Sequence, residues 1–297
     1  MKTTNIILLV SALVIAGLTT AAVRFLPGKA KVENPAATDP FTHGWKMFRM
    51  AEFSAAEKAF EQARRAAKSG TEAMTQALYG LALVNWLRTP DSDKVKAKAF
   101  FEQIIREFPE HDLAVWSQLA LVRMRHVVPV GETPDYAAVC VDYEAIYAAH
   151  PGHPAAMEAF AYAQEARMIS FKPEDVRAAV AALQAFVQTN PDLHFTSWVW
   201  DLLARGYRIL DDGDAQLNAK LMVLKTKELD PSNPRMDNSN LYWEIATLAQ
   251  FEVGDLATAK EFYQKLRTEY PRDMRNFAAR RNLESIDKIE KGETAIE

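Results

Sequence analysis

The residues of this chain best suited to chemistry stand in two short runs, His150-Pro-Gly-His153 and Asp211-Asp-Gly-Asp214. Two imidazoles three apart can begin a zinc site, but zinc needs a third and usually a fourth ligand, and none accompanies them nearby in sequence. A linker between helices accounts for that run. The aspartate run offers the oxygens of a calcium loop without its alternating ligands or its glutamate at the twelfth position. Asp-Gly instead makes a tight turn, and an acid just before a helix caps its free N–H groups. Cys140 is the single cysteine and sits in the apolar stretch AAVCVDYEAIY. Packing is its expected role, and an intrachain disulfide is excluded. No G-x-S-x-G, H-E-x-x-H, P-loop or G-x-G-x-x-G pattern occurs. The sequence therefore predicts no cofactor, no metal and no catalysis.

The elements that must position these residues are helices. Only 11 of 297 residues are Gly, and Ala, Leu, Glu, Lys, Gln and Arg recur throughout. These side chains lose little rotamer freedom in a helix, which favours an all-α chain. Pro109, Pro151, Pro191, Pro231 and Pro271 follow one another at spacings of 42, 40, 40 and 40, each closing a similar segment such as FFEQIIREFP or FYQKLRTEYP. FEQARRAAKS is an earlier, degenerate copy. Counting back from each proline, Ala97, Val139, Ala179, Ala219 and Ala259 lie at −12. Phe101, Tyr143, Leu183, Val223 and Tyr263 lie at −8, and Ile104, Ile146, Phe186, Thr226 and Leu266 at −5. Steps of four and three put these residues on one helical face, and the proline stops the helix. A second apolar segment completes each unit, from TEAMTQALYGLALVNWL to NLYWEIATLAQFE. A period near 40 marks a solenoid of about six helical hairpins. A polar helix near Met274 to Lys291 closes the array.

The N-terminus is of another kind. Residues 1–26 carry an apolar run from Ile6 to Val23, about 27 Å as a helix and close to the thickness of a hydrocarbon core. We read residues 1–26 as a membrane anchor or signal segment, kept as a single span, with secretion after cleavage as the alternative. The repeats are expected on the exported side. Residues 27–40, with three prolines, read as a flexible tether. Four cations and no acid fall in residues 1–31, so the remainder holds 31 cations against all 39 acids, a formal net of −8. An acidic body with no basic cluster among aromatics does not suit a phosphate backbone, and no nucleic-acid partner is expected.

In its last unit the chain resembles the tetratricopeptide repeat family through Trp243, Gly254, Ala259, Tyr263 and Pro271, and in its first through Gly44, Phe53, Ala56, Phe60 and Ala63. The middle units keep the alanine and the proline. The resemblance implies a right-handed superhelix over residues 41–272, a capping helix and tail over 273–297, and a concave groove that binds other proteins. The extra length per unit implies longer first helices or longer linkers. In that family the first helix of each hairpin supplies the groove contacts. Carried over by position, these are Trp45 and Phe48 in unit one, Asp201 and Arg208 in unit five, and Glu244, Leu248 and Phe251 in unit six. Trp198 and Trp200, two apart, point in different directions on a helix, so one can be core while the other faces the groove, although each alone is more often core. Arg123, Arg125 and His126 form a basic helix end that complements the helix dipole. The expected function is a non-enzymatic scaffold in a membrane-associated assembly. A solenoid that binds a small molecule or glycan, and a self-associating structural protein, remain the alternatives.

Overall fold

The computed structural model describes residues 39–88, 91–229 and 236–293. The proposed membrane segment, residues 27–38 of the tether and Pro231 lie outside the described residues. Among the described residues the regular elements are helices, and no helix is long and apolar enough to cross a membrane. The first helix begins one residue earlier than expected, with Asp39 accepting a hydrogen bond from Thr42 N at 3.0 Å and Pro40 in the first turn. Proline there gives up an N–H that the helix would leave unpaired in any case.

Two compact units divide the chain, one ending at Ala163 and the other beginning at Gln164. The first unit holds α1 (Pro40–Arg49), α2 (Phe53–Ala66), α3 (Glu72–Leu87), α4 (Lys94–Glu107), α5 (Asp112–His126) and α6 (Tyr136–Ala149). The boundary falls inside α7 (Pro154–Met168). The second unit continues with α8 (Pro173–Thr189), α9 (Thr196–Ile209), α10 (Gly213–Thr226), α11 (Ser239–Leu248), α12 (Leu256–Glu269) and α13 (Asn276–Glu290). Twelve of these helices form six hairpins and the thirteenth follows them, the fold class that the period predicts. The longer repeat has the two sources anticipated, first helices of up to 16 residues and linkers such as 127–135.

The proline-aligned residues make the core. Ala97, Ala179, Ala259, Phe101, Tyr143, Leu183, Tyr263, Ile104 and Leu266 are fully buried, and Val139, Ala219, Val223, Ile146 and Phe186 nearly so. Thr226 is half-buried and returns its hydroxyl to Met222 O at 2.7 Å. Each large side chain so buried contributes about 1.5–3 kcal/mol. The stop is also regular. Phe108, His150, Asn190 and Tyr270, each just before a proline, adopt φ between −134 and −125 and ψ between 51 and 68. The following proline ring forbids them the α conformation. The helix before Pro231 is the exception, because α10 ends at Thr226 with Lys227 already extended.

Hairpin turns repeat too. Ala51, Phe171, Asp211 and Gly254 each take a left-handed backbone, with φ of 60, 54, 59 and 80. Asp93, Asp135, Asp212 and Asp255 then cap the second helices, each accepting a backbone N–H three residues on at 2.9–3.0 Å. The Asp211–Asp214 run is thus a turn and a cap.

Close approach depends on glycine in two places. A Cβ on Gly44 or on Gly80 would lie 2.7 Å from the Phe60 ring, which is fully buried between α1 and α3. In the second unit a Cβ on Gly206 would lie 2.4 Å from Val180 Cγ2.

Candidate protein-binding face

In the first unit the first helices of successive hairpins touch one another, α1 with α3 and α3 with α5. Their outward residues therefore form one face. These helices bury much more than one stripe: α3 buries eleven residues and α5 nine, against three on α4 and three on α6. A helix packed on two sides must be apolar around most of its girth.

In the first unit Arg123 is buried among these helices. It leaves α5 near its C-terminus, is 4% exposed, and lies 4.4 Å from the Tyr162 ring and 5.9 Å from the Trp86 ring. Tyr79 and Glu158 are buried nearby, and the Tyr79 phenol is pushed up by burial and by the Glu158 charge, with Arg123 acting against them. The expected basic helix end disperses in three directions. Arg125 turns out to pair with Asp142 on α6. His126 Nδ1 lies 3.2 Å from the Tyr143 hydroxyl, with its ring edge-on to Tyr136.

The second unit carries a continuous chain of charges. Arg205 on α9 donates to Glu165 on α7 at 2.8 Å and lies 3.3 Å from Asp201, one turn back. Lys220 on α10 donates to Asp201 at 3.0 Å and to Glu244 on α11 at 2.9 Å. Asn240 holds the other oxygen of Glu244, and Arg275 reaches Asn240, Ser239 and Asp273. Burial alone would raise the Asp201 carboxyl, but Lys220 and Arg205 outweigh it and hold it below the usual range. Lys220 is the mirror case: burial lowers it, and Asp201 with Glu244 raises it above the usual lysine value. Each ion is thus stabilised by its neighbours, as a half-buried charge must be.

The seven residues expected to line a groove separate into three groups. Trp45, Phe48 and Leu248 are buried, at 6%, 9% and 5% exposure, so their side chains are taken up by helix packing. Trp45 meets the Phe60 ring at 5.1 Å and Phe48 the Phe53 ring at 5.7 Å. Asp201 and Glu244 converge on Lys220, which the sequence did not single out. Arg208 and Phe251 are the exposed members, Phe251 at 66%. Phe251 lies in a wider, π-helical turn (Ala249–Val253) that prolongs α11 up to Gly254. Trp200 packs against the α11–α13 core and Trp198 against Phe195 at 5.8 Å.

The charge chain had a sequence signal. Arg123, Glu165 and Arg205 each stand fourteen residues after a repeat proline, a stripe of alternating sign at one repeat position. The two histidines of the other run are structural: His153 Nδ1 accepts from Ala155 N at 3.1 Å, capping α7, and His150 faces Gln118. His111 caps α5 in the same way, one repeat earlier. No group of three His, Cys, Asp or Glu among the described residues could hold a metal ion.

Residues 76–111 and 242–273 match the family described as tetratricopeptide repeat. The second stretch is the α11–α12 hairpin, where Trp243, Gly254, Ala259, Tyr263 and Pro271 stand. The first is α3–α4, one of the units with a thin motif. No curated protein matches the chain. Among solved structures, a thermophilic TPR protein in Thermus thermophilus aligns at 15% identity over 83% of this chain and 96% of its own, with a TM-score of 0.30. A score that low adds nothing to the argument, and the fold rests on the hairpins themselves.

Proposed function

The chain is a tetratricopeptide-repeat protein, and on that premise we propose that it is a non-enzymatic scaffold whose first-helix face holds a segment of another protein. The observation that carries this reading is the contact of α1 with α3 and of α3 with α5 in the first unit, which joins their side chains into a face longer than any one helix. Repeat arrays use such preformed faces to bind extended or helical segments with little ordering cost. Exposed Phe251 and Arg208 supply the anchor types that dominate such interfaces, an aromatic and an arginine. We place the protein at a membrane through residues 1–26, with the repeats on the exported side. The apolar run there supports this, and a tether would raise local concentration without any new contact.

The test is crosslinking with mass spectrometry on the full chain in its own cells, beside a variant carrying Arg208→Glu and Phe251→Ala. Both positions are exposed, so the variant keeps its fold. The scaffold reading expects one or two proteins that crosslink to the wild type and are lost with the variant. Crosslinks that survive the variant unchanged remove this face from the account. An intact N-terminal peptide in the membrane fraction checks the anchor.

A further inference from the structure

A neutral imidazole is a conditional helix cap, because the nitrogen that accepts the backbone N–H is also the one that takes up a proton in mild acid. His111 Nδ1 accepts from Leu113 N and His153 Nδ1 from Ala155 N, each at 3.1 Å, at the starts of α5 and α7 in the first unit. With Nδ1 accepting, each neutral ring carries its own proton on Nε2. A second proton can enter only at Nδ1, and there it turns the acceptor into a donor facing another donor. Capping and protonation therefore exclude one another at both positions.

His111 and His153 each stand two residues after a repeat proline, Pro109 and Pro151. Asp273 holds the same place after Pro271 and accepts the Arg275 N–H at 2.8 Å, at the start of α13 in the second unit. Its carboxyl is held at about 2, first by the hydrogen bond from the Arg275 side chain, so it remains an acceptor through mild acid. The surroundings of His153 widen the contrast. Burial pushes its ring below the usual histidine value, and His150, whose ring lies 6.4 Å away, acts in the same direction. Asp112 on α5, 3.6 Å from Nε2, opposes them, but its side chain is largely exposed and does not outweigh burial. Trp116, also on α5, meets the ring edge-on. The charged neighbours of His111 along the chain are Glu110 and Asp112. Because the folded value of His153 lies below the unfolded one of about 6.5, the stability it gives is complete above that pH and is lost as the pH falls.

We propose that the first unit carries an acid-sensitive switch: protonation of His111 and His153 at Nδ1 releases the first turns of α5 and α7, while the aspartate-held start of α13 stays in place. The two releases are neighbours, since Asp112 in the first turn of α5 faces the ring that starts α7. The switch needs no partner and is independent of the scaffold reading.

The test follows hydrogen exchange by mass spectrometry on the full chain at pH 7.5 and pH 5.5. Protection factors are compared, which removes the intrinsic pH dependence of exchange. Segments 110–118 and 152–160 should each lose protection by about fivefold at the lower pH, the factor for one lost cap, and segment 273–281 should be unchanged. A variant carrying His111→Asn and His153→Asn keeps an acceptor that gains no proton, and its two segments should no longer respond to pH. Long-range 1H–15N spectra at pH 7.5 should show both rings protonated at Nε2 alone. Wild-type segments that hold their protection at pH 5.5 overturn the proposal. So does an equal loss in segment 273–281, or a loss that persists in the asparagine variant. If that variant does not fold, the wild-type segments and the ring spectra decide, and a proton on Nδ1 of either ring at pH 7.5 overturns the switch.

Discussion

Ala51 sits at φ 60 in a hairpin turn where Gly254 occupies the matching place at φ 80. A left-handed backbone costs an L-residue about 1–2 kcal/mol, partly offset because glycine loses more freedom on folding. Ala51→Gly should therefore stabilise the protein by about 0.5–1 kcal/mol, read as a higher denaturation midpoint with unchanged slope. Gly206 is the opposite case. Its missing Cβ would meet Val180 Cγ2 at 2.4 Å, so Gly206→Ala should destabilise by about 1–3 kcal/mol despite the better helix propensity of alanine. Asp273 is held at about 2, first by the hydrogen bond from the Arg275 side chain, which with the Arg275 backbone N–H and charge outweighs the opposing effect of burial. Its folded value is below its unfolded one of about 3.9, so its contribution is complete above pH ~4 and is lost as the pH falls through about 2. The melting-temperature deficit of Asp273→Asn should be constant from pH 7 to about 5 and vanish towards pH 2. Such residue-level effects were only partly legible in sequence. Asp212 announced itself as a cap, in a run of acids just before an apolar helix. Ala51 did not, since its conformation is imposed by how α1 and α2 meet.

Each second helix carries one buried face set by its small-large-large spacing, and the structure uses that face without change. The first helices are less readable. With eleven buried residues on α3, a 3.6-residue period does not tell which side meets the neighbouring first helix and which meets its own partner. For that reason repeat position puts Trp45, Phe48 and Leu248 on the open side, whereas they lie in the packed one. The helices of the second unit are also tied by charge. Lys220 joins α10 to α9 and α11 through Asp201 and Glu244. Lys220→Met would take from half-buried Asp201 its nearest cation, leaving Arg205 and the more distant Arg208, and should cost about 2–3 kcal/mol. Asp201→Asn in the same background should restore part of that loss in a double-mutant cycle. If the two changes add without coupling, the charge chain does not tie these helices together.

At the scale of the whole chain, stability should follow the order of the hairpins, because a repeat array holds together by nearest-neighbour interfaces. Ala279, Leu283 and Ile286 of α13 are buried, the first and last fully, beside Phe262, Tyr263 and Leu266 of α12. A chain ending at residue 273 would expose that surface. Hydrogen exchange measured by mass spectrometry should then show lost protection across α11 and α12 and unchanged protection in α3 and α4. Equal loss in both regions would mean that the chain unfolds as one cooperative body.

The sequence by itself determined the helical class, the hairpin count and the stops of the second helices before Pro109, Pro151, Pro191 and Pro271. These depend on local covalent facts: a proline ring that excludes the α conformation before it, aspartates that cap, and a small-large-large spacing that leaves one face to bury. Only the tertiary structure decided which side of a first helix is open, that Arg205 has two carboxylates beside it while Nε and Nη2 of Arg123 have no hydrogen-bond partner among the described residues, and that Phe251 projects from a widened turn. Those outcomes depend on residues about forty positions apart meeting across hairpins, and a local period carries no information about which side chains meet there.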